Sequence, residues 1–256
     1  MTRHIDFDLI ENFRDFGGYD TRCGRGLRTG RLYRSGHHAL ATDADLERLR
    51  ALGVVAIVDL RGPSEREREP SRRHAGFSGV VIENAIAPTT DWITELEASP
   101  LTAEALVADT LRHYRINVFE PRLVDLFGRF LRAVGEADGP VVVHCAAGKD
   151  RTGLACAFLH HIAGVHHDDM IADYLMTNDE GRIERKMENA RAFVDRLLGR
   201  RPTDAALRAW VQVYPEFLDA AFDEIRGRCG SVDVYLETVL GVDAAARERI
   251  HERVLG

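Results

Sequence analysis

The chain has 256 residues, 45% hydrophobic and 29% charged, which excludes a disordered polymer and suits one large α/β domain with a sizeable core. Its net charge of −7 argues against nucleic acid as a partner. No apolar run approaches the roughly 20 residues needed to span a bilayer, so no integral membrane segment is expected. The opening Met1-Thr2-Arg3-His4-Ile5-Asp6 lacks the apolar stretch of a secretory signal, and a cytoplasmic location is expected. Cys23, Cys145, Cys156 and Cys229 are scattered without ligand spacing, which fits reduced thiols.

In chain order, residues 27–34 read as a strand or short hairpin among glycines. Thr42 caps a helix over 43–52, stopped by Gly53. Val54-Val55-Ala56-Ile57-Val58 reads as a buried strand ending at Asp59-Leu60-Arg61. Ser64-Glu65-Arg66-Glu67-Arg68-Glu69 reads as a solvated helical turn stopped before Pro70, and 79–86 as another strand. Between Pro100 and Pro121, Leu101, Ala105, Ala108, Leu111 and Arg112 continue a helical stripe, with Glu104 and Asp109 facing out. Val141-Val142-Val143 is the central strand and 148–163 the helix after it. From His167 onward the pattern is helical, broken near Asn178, 199–202 and Cys229-Gly230. Short strands alternating with helices predict a mostly parallel central sheet flanked by helices, with a helical C-terminal part, in a single domain over 1–256. Ligands of such sheets bind at the carboxyl ends of the strands.

The central strand ends there, in His144-Cys145-Ala146-Ala147-Gly148-Lys149-Asp150-Arg151-Thr152-Gly153. A strand, a tight loop and a helix N-terminus make an anion site from backbone N–H groups. Helix N-termini and nearby cations favour a thiolate. A thiolate beneath a phosphate cradle can cleave a phosphate ester through a phosphocysteine intermediate. Cys145 is the candidate nucleophile. Arg151 is the candidate for two phosphoryl oxygens, since its planar fork suits bidentate binding. Backbone N–H groups from Ala146 to Arg151 complete the cradle, with small Ala146, Ala147 and Gly148 permitting close approach. Thr152 can donate to the departing thiolate, or serve only as a helix cap. His144 is expected to order the loop from behind. Of 34 basic residues two are lysines, Lys149 and Lys186, and Lys149 stands in this loop. It adds positive charge toward a phosphate or second anionic group, unless it is only a solvated charge. Asp59 and Arg61 end a strand beside the site; Arg61 either contacts substrate or forms a bracing salt bridge.

His-Cys, five residues, Arg, then Ser or Thr resembles the protein tyrosine phosphatase superfamily. Asn12-Phe13-Arg14-Asp15-Phe16-Gly17-Gly18-Tyr19, Leu32-Tyr33-Arg34-Ser35, Val58-Asp59-Leu60-Arg61 and Asp173-Tyr174-Leu175 with Asn178 resemble blocks of one bacterial branch. That branch includes the mycobacterial protein tyrosine phosphatase B type and lipid-phosphatase-like enzymes. The resemblance implies a tyrosine-phosphatase-like fold and no metal or cofactor. It also implies activity that can include phosphotyrosine, phosphoserine/threonine and phosphoinositides; leaderless secretion occurs in the branch. It marks Lys149-Asp150 as the distinguishing loop chemistry.

The leaving oxygen needs a proton. Many superfamily members bring an Asp on a mobile loop about thirty residues upstream; Asp109 and Asp125 have that spacing but fall in helical segments. Asp91 lies in a better loop, further away. The lipid-phosphatase-like branch uses the Asp within the cysteine loop, and Asp150 is preferred over Asp91, its alternative role being a counter-ion to an arginine. The branch also often carries lid helices, and a helical insertion over about 94–120 could be such a lid, or ordinary core packing. The pairs His37-His38, His160-His161 and His166-His167 lack a third ligand at metal spacing. A catalytically weak phosphate-binding scaffold and a rhodanese-like sulfurtransferase are the competing functional classes.

Overall fold

The computed structural model of the chain describes residues 3–90 and 92–256. Among these, the strands are β1 (Arg14–Asp15), β2 (Leu32–Ser35), β3 (Ala56–Asp59), β4 (Val80–Ile82) and β5 (Val141–His144). They form one sheet in the order β1-β2-β5-β3-β4. β5 lies at the centre, parallel to β2 and β3, and β4 is parallel to β3. Only β1 runs antiparallel, at the edge beside β2.

Helices α1 (Asp43–Ala51) and α2 (Pro63–Arg68) follow β2 and β3. Between β4 and β5 come α3 (Trp92–Ala98), α4 (Ala103–Asn117) and α5 (Pro121–Glu136). After β5 the chain is helical: α6 (Asp150–Ala163), α7 (His167–Leu175), α8 (Glu180–Leu198), α9 (Asp204–Val211), α10 (Pro215–Cys229), α11 (Val232–Thr238) and α12 (Ala244–Val254). No helix among the described residues is long and apolar enough to cross a membrane.

Strand side chains alternate between two cores, as a period of two requires. Leu32, Ala56, Val58, Val141 and Val143 enter the main core with Phe127 and Phe130 of α5 and Phe158 of α6. Tyr33, Ile57 and Val142 point the other way, onto Phe13 and onto Leu46 and Leu49 of α1. A third, small cluster joins Leu96, Leu101 and Leu106 to Val194 of α8 and Ala206 of α9.

The predicted helix over 43–52 is α1. Thr42 accepts from the Asp45 amide while the Asp45 carboxylate accepts from the Thr42 amide, a reciprocal cap. Asp45 also receives the Asp8 and Leu9 amides, fastening the N-terminal segment to α1.

Several expectations needed correction. The strand predicted over 27–34 is confined to Leu32–Ser35, with Leu27 making only an isolated bridge to Leu255. The strand predicted over 79–86 stops at Ile82, because the next carbonyls, of Glu83 and Asn84, accept from Arg129 and Arg66 side chains instead of a ladder. The helix after the cysteine begins at Asp150, since Gly148 lies at φ +64° and cannot be helical. β1 was not foreseen, and α3 begins two residues before the helical insertion expected over about 94–120. The predicted α4 stripe holds only in part: Leu101 is buried and Leu111 packs on the main core, but Ala108 and Arg112 are exposed and the buried face of α4 runs through Leu106 and Tyr114.

Candidate active site

β5 delivers Cys145 to the carboxyl end of the sheet, between β2 and β3, and α6 starts five residues later. The intervening turn depends on Gly148. A Cβ there would stand 2.4 Å from the Ser35 carbonyl group, and its positive φ disfavours any other residue. The Gly148 carbonyl is gripped from beneath by Asn12 Nδ2 at 2.8 Å and Arg34 Nη2 at 3.1 Å.

That grip belongs to a buried network. Arg34 Nη1 donates to Asp173 Oδ2 at 2.7 Å, and Arg14 Nε to Asp173 Oδ1 at 3.3 Å, all at 1% exposure or less. Arg14 also donates to the Asn12 side chain and the Asp173 carbonyl. Burial opposes the charge of Asp173, but Arg14 and Arg34 hold its carboxyl below the usual range. Burial, with Arg34 alongside, pulls Arg14 down to about 10, still protonated at neutral pH. Three stretches far apart in sequence, around Asn12, Arg34 and Asp173, thus meet under one loop carbonyl.

Cys145 is 3% exposed and faces a cavity of about 530 Å³ that also takes in Ala146, Ala147, Lys149, Asp150 and Arg151. Glu65 takes the end of the Arg151 guanidinium as a fork, at 2.6 Å and 2.8 Å, and the Leu60 carbonyl takes a third proton at 3.2 Å. Of five guanidinium N–H groups, Nε–H and one on Nη2 remain. These form a second fork of a size suited to two phosphoryl oxygens. Burial works against Glu65, but Arg151 brings its carboxyl down to about 2.

Asp150, the first residue of α6, is partly exposed. Its Oδ1 accepts from Tyr114 at 3.1 Å, and its Oδ2 lies 3.6 Å from Lys149 Nζ. Lys149 is no solvated charge. It is 7% exposed, and its ammonium donates to the Trp210 carbonyl at 2.5 Å and the Gln212 carbonyl at 3.4 Å. Thr152 is fully buried within α6, its Oγ1 without a protein partner among the described residues, and Lys149, not Thr152, takes the cap position.

Behind the loop, Asp59 and Arg61 form a buried pair at 2.7 Å. Arg61 also donates to the Glu69 carbonyl and to Ser71 Oγ, so it braces the loop after β3 and does not reach the cavity. His144 is fully buried, stacked on His38 at 4.7 Å between ring centroids, with Nε2 3.7 Å from Asp59. Burial lowers the His144 pKa, keeping the ring neutral despite Asp59. Among the described residues no group of three or more His, Cys, Asp or Glu is arranged to hold a metal.

The far wall of the cavity comes from α3 and α4, through Glu95, Leu96, Leu106, Asp109, His113 and Tyr114. It also comes from α8 and α9, through Arg182, Lys186 and Trp210. Asp109 lines the cavity with its side chain still 38% exposed, paired with Arg112 at 3.4 Å. Asp125 is held by Asn84 and Arg129, away from it. Asp91 lies outside the described residues. Sequence reasoning missed Glu65 and Tyr114. Glu65 carried a signal, since it stands three residues after Gly62 and one turn into a Pro-initiated helix. It accepts the Gly62 amide at 2.7 Å, as a helix N3 acid does. Tyr114 carried none, because only the fold brings α4 to the loop.

The family model described as the tyrosine phosphatase family matches residues 5–256. A Cupriavidus necator protein provisionally named a tyrosine-protein phosphatase is 34% identical over 247 residues, covering 95% of this chain and 86% of the relative. The triple specificity protein phosphatase PtpB of Mycobacterium tuberculosis is 29% identical over 281 aligned residues, 96% of each chain. A Nostoc commune tyrosine-protein phosphatase is 30% identical over 138 residues, 53% of this chain and 44% of its own.

Proposed function

The chain belongs to the tyrosine phosphatase family and is a protein-tyrosine phosphatase, and we propose that it works through a phosphocysteine intermediate on Cys145 with a substrate range extending to phosphoserine/threonine and phosphoinositides. The observation that carries this reading is the joint placement of Cys145, the open fork of Arg151 and the Asp150 carboxyl on one cavity.

The phosphoryl group would sit among the backbone N–H groups of Ala146 to Arg151, its oxygens also held by the free Arg151 fork. Cys145 Sγ attacks phosphorus in line as the bond to the leaving oxygen breaks. Asp150 supplies the proton that oxygen needs and becomes a carboxylate. Water then attacks the phosphocysteine, Asp150 takes its proton, and inorganic phosphate leaves. The unpartnered Thr152 hydroxyl is free to donate to the returning thiolate. Glu65 aims Arg151, while His144, Asp59 and Arg61 keep the loop's rear in shape. Lys149 contributes charge to the cavity while tying the loop to the end of α9.

The wider range draws on a cavity of about 530 Å³, roomier than one phosphate requires, with Lys149, Arg182 and Lys186 on its walls. The M. tuberculosis relative's name carries triple specificity, which supports the same breadth here. Phosphate release from a phosphotyrosine peptide, a phosphoserine peptide and a phosphatidylinositol monophosphate tests it, with acid-quenched enzyme analysed by mass spectrometry. Release from all three, with a phosphoryl adduct on the Cys145 peptide, is expected. Release confined to phosphotyrosine rejects the wider range, and turnover with an adduct elsewhere rejects the intermediate.

A further inference from the structure

Tyr114 stands in the C-terminal half of α4, within the segment between β4 and α5, and its side chain is fully buried. Its hydroxyl donates to Asp150 Oδ1 at 3.1 Å and lies 2.5 Å from the Tyr174 hydroxyl. A phenol has one proton to give. Because Tyr114 gives its own to Asp150, Tyr174 must be the donor to Tyr114. The relay from α7 through α4 therefore has one direction, and it ends on the carboxyl of Asp150.

Both rings are fixed. Tyr114 packs on Phe217 at 5.4 Å between centroids and meets Tyr174 edge-on at 6.5 Å. Burial raises both phenols well above their ordinary value, so each stays a protonated donor at working pH. Among the described residues, the cations around Asp150 are Lys149, Arg151 and, from α8, Arg182, and Cys145 and the carboxylates of Glu65, Glu95 and Asp109 line the same cavity. Lys149 and Arg182 spend donors on carbonyls, and Arg151 is forked on Glu65. They set the local field; the tyrosine sets a direction.

We infer that Tyr114 is a positioning residue for proton transfer, its hydroxyl fixing Asp150 by Oδ1 so that Oδ2 carries the proton to and from the reacting oxygens. The inference rests on Asp150 being the general acid. In the first step the Oδ2 proton moves to the leaving oxygen as the P–O bond breaks, leaving a carboxylate that Tyr114 continues to hydrogen-bond. In the second, water's proton returns to Oδ2 while its oxygen joins phosphorus and the Cys145 thiolate departs. Tyr114 keeps its own proton throughout. The helix that walls the cavity thereby reaches into the chemistry.

The test compares phenyl phosphate, whose leaving group needs a proton, with p-nitrophenyl phosphate, whose leaving group does not. Tyr114→Phe should lower kcat for phenyl phosphate about tenfold, part of the roughly 10²–10⁴ a positioned acid supplies. For p-nitrophenyl phosphate the loss should stay under about twofold, with KM steady for both. In an Asp150→Asn background the same change should cost nothing further. Equal losses on both substrates, or a full loss surviving beside Asp150→Asn, would overturn the inference while a leaving-group-dependent Asp150→Asn keeps the acid assignment. An Asp150→Asn without that dependence removes the acid assignment and this inference together. If Tyr114→Phe does not fold, Tyr174→Phe decides in its place, with the same signature in weaker form expected and equal losses overturning the inference.

Discussion

The floor and the roof of the cavity are built by different physics. Beneath the loop, Asn12, Arg14, Arg34 and Asp173 form a buried charged network that ends on the Gly148 carbonyl, at the edge of the main core. Across the cavity, α3, the first turns of α4, α8 and α9 share a small apolar cluster of Leu96, Leu101, Leu106, Val194 and Ala206. Their ion pairs, such as Arg112 with Glu95 and Asp109, are largely exposed and contribute little. The proposed phosphate cradle would have to hold its geometry to a fraction of an ångström, and interlocked buried charges provide that. The roof would meet the substrates of the proposed wider range, and its apolar cluster is small. α4 belongs to both regions, with Leu106 in the small cluster and Tyr114 and Val118 in the main core.

The sharpest way to break the comparison is at Asp173. Asp173→Asn leaves Arg14 and Arg34 buried without a counter-charge, and removing one member of such a network costs about 3–5 kcal/mol. Urea unfolding should show that loss, and the surviving folded enzyme should be crippled in kcat. A near-neutral Asp173→Asn would show that packing alone holds the floor.

Glu65→Gln sharpens it next. The guanidinium stays but loses its charged guide, and misplacement of a catalytic group costs on the order of 10²-fold. The loss should fall on kcat more than on stability at neutral pH. Its pH signature has a definite sign. The carboxyl is depressed from 4.5 to about 2, so its stabilising pair is complete above pH 4.5 and is lost as pH falls toward 2. Wild type should therefore lose urea resistance across that window more steeply than Glu65→Gln; parallel slopes would mean that the pair contributes little to the fold.

Much of the floor was legible in the sequence because its chemistry is contiguous. Cys145 through Thr152 carries the proposed nucleophile, cradle and guanidinium in one run, and Val141-Val142-Val143 announced the strand that presents them. The blocks around Asn12, Arg34 and Asp173 were visible as resemblances, but their common purpose was not, since nothing in sequence says that three distant stretches meet at one carbonyl. The choice between the two readings of Lys149 was not legible for a related reason: whether a loop lysine is solvated or held by carbonyls at the end of α9 is decided by tertiary packing. The stripe expected on α4 followed Leu101 and Leu111 and missed Tyr114, because a helix serving two clusters has no single apolar face.

The smallest effect is expected in the roof. Leu106→Ala should cost about 2 kcal/mol, the low end for a buried leucine, because a small cluster can partly collapse. Amide exchange should locate the damage. In wild type the amides of α3 and the first turns of α4 should exchange faster than those of α6, and Leu106→Ala should widen that gap without touching α6. Uniform protection across both regions would erase the distinction between floor and roof.

The central claim, that Cys145 on this floor performs the reaction, is tested most directly by Cys145→Ser. Its turnover of p-nitrophenyl phosphate should be measured beside calorimetric binding of inorganic phosphate. Turnover should fall by roughly 10³-fold or more, as expected when a nucleophile is removed. Phosphate should still bind, because the backbone cradle, Arg151 and the network below Gly148 remain. Activity within an order of magnitude of wild type, in a variant that binds phosphate normally, would contradict the account.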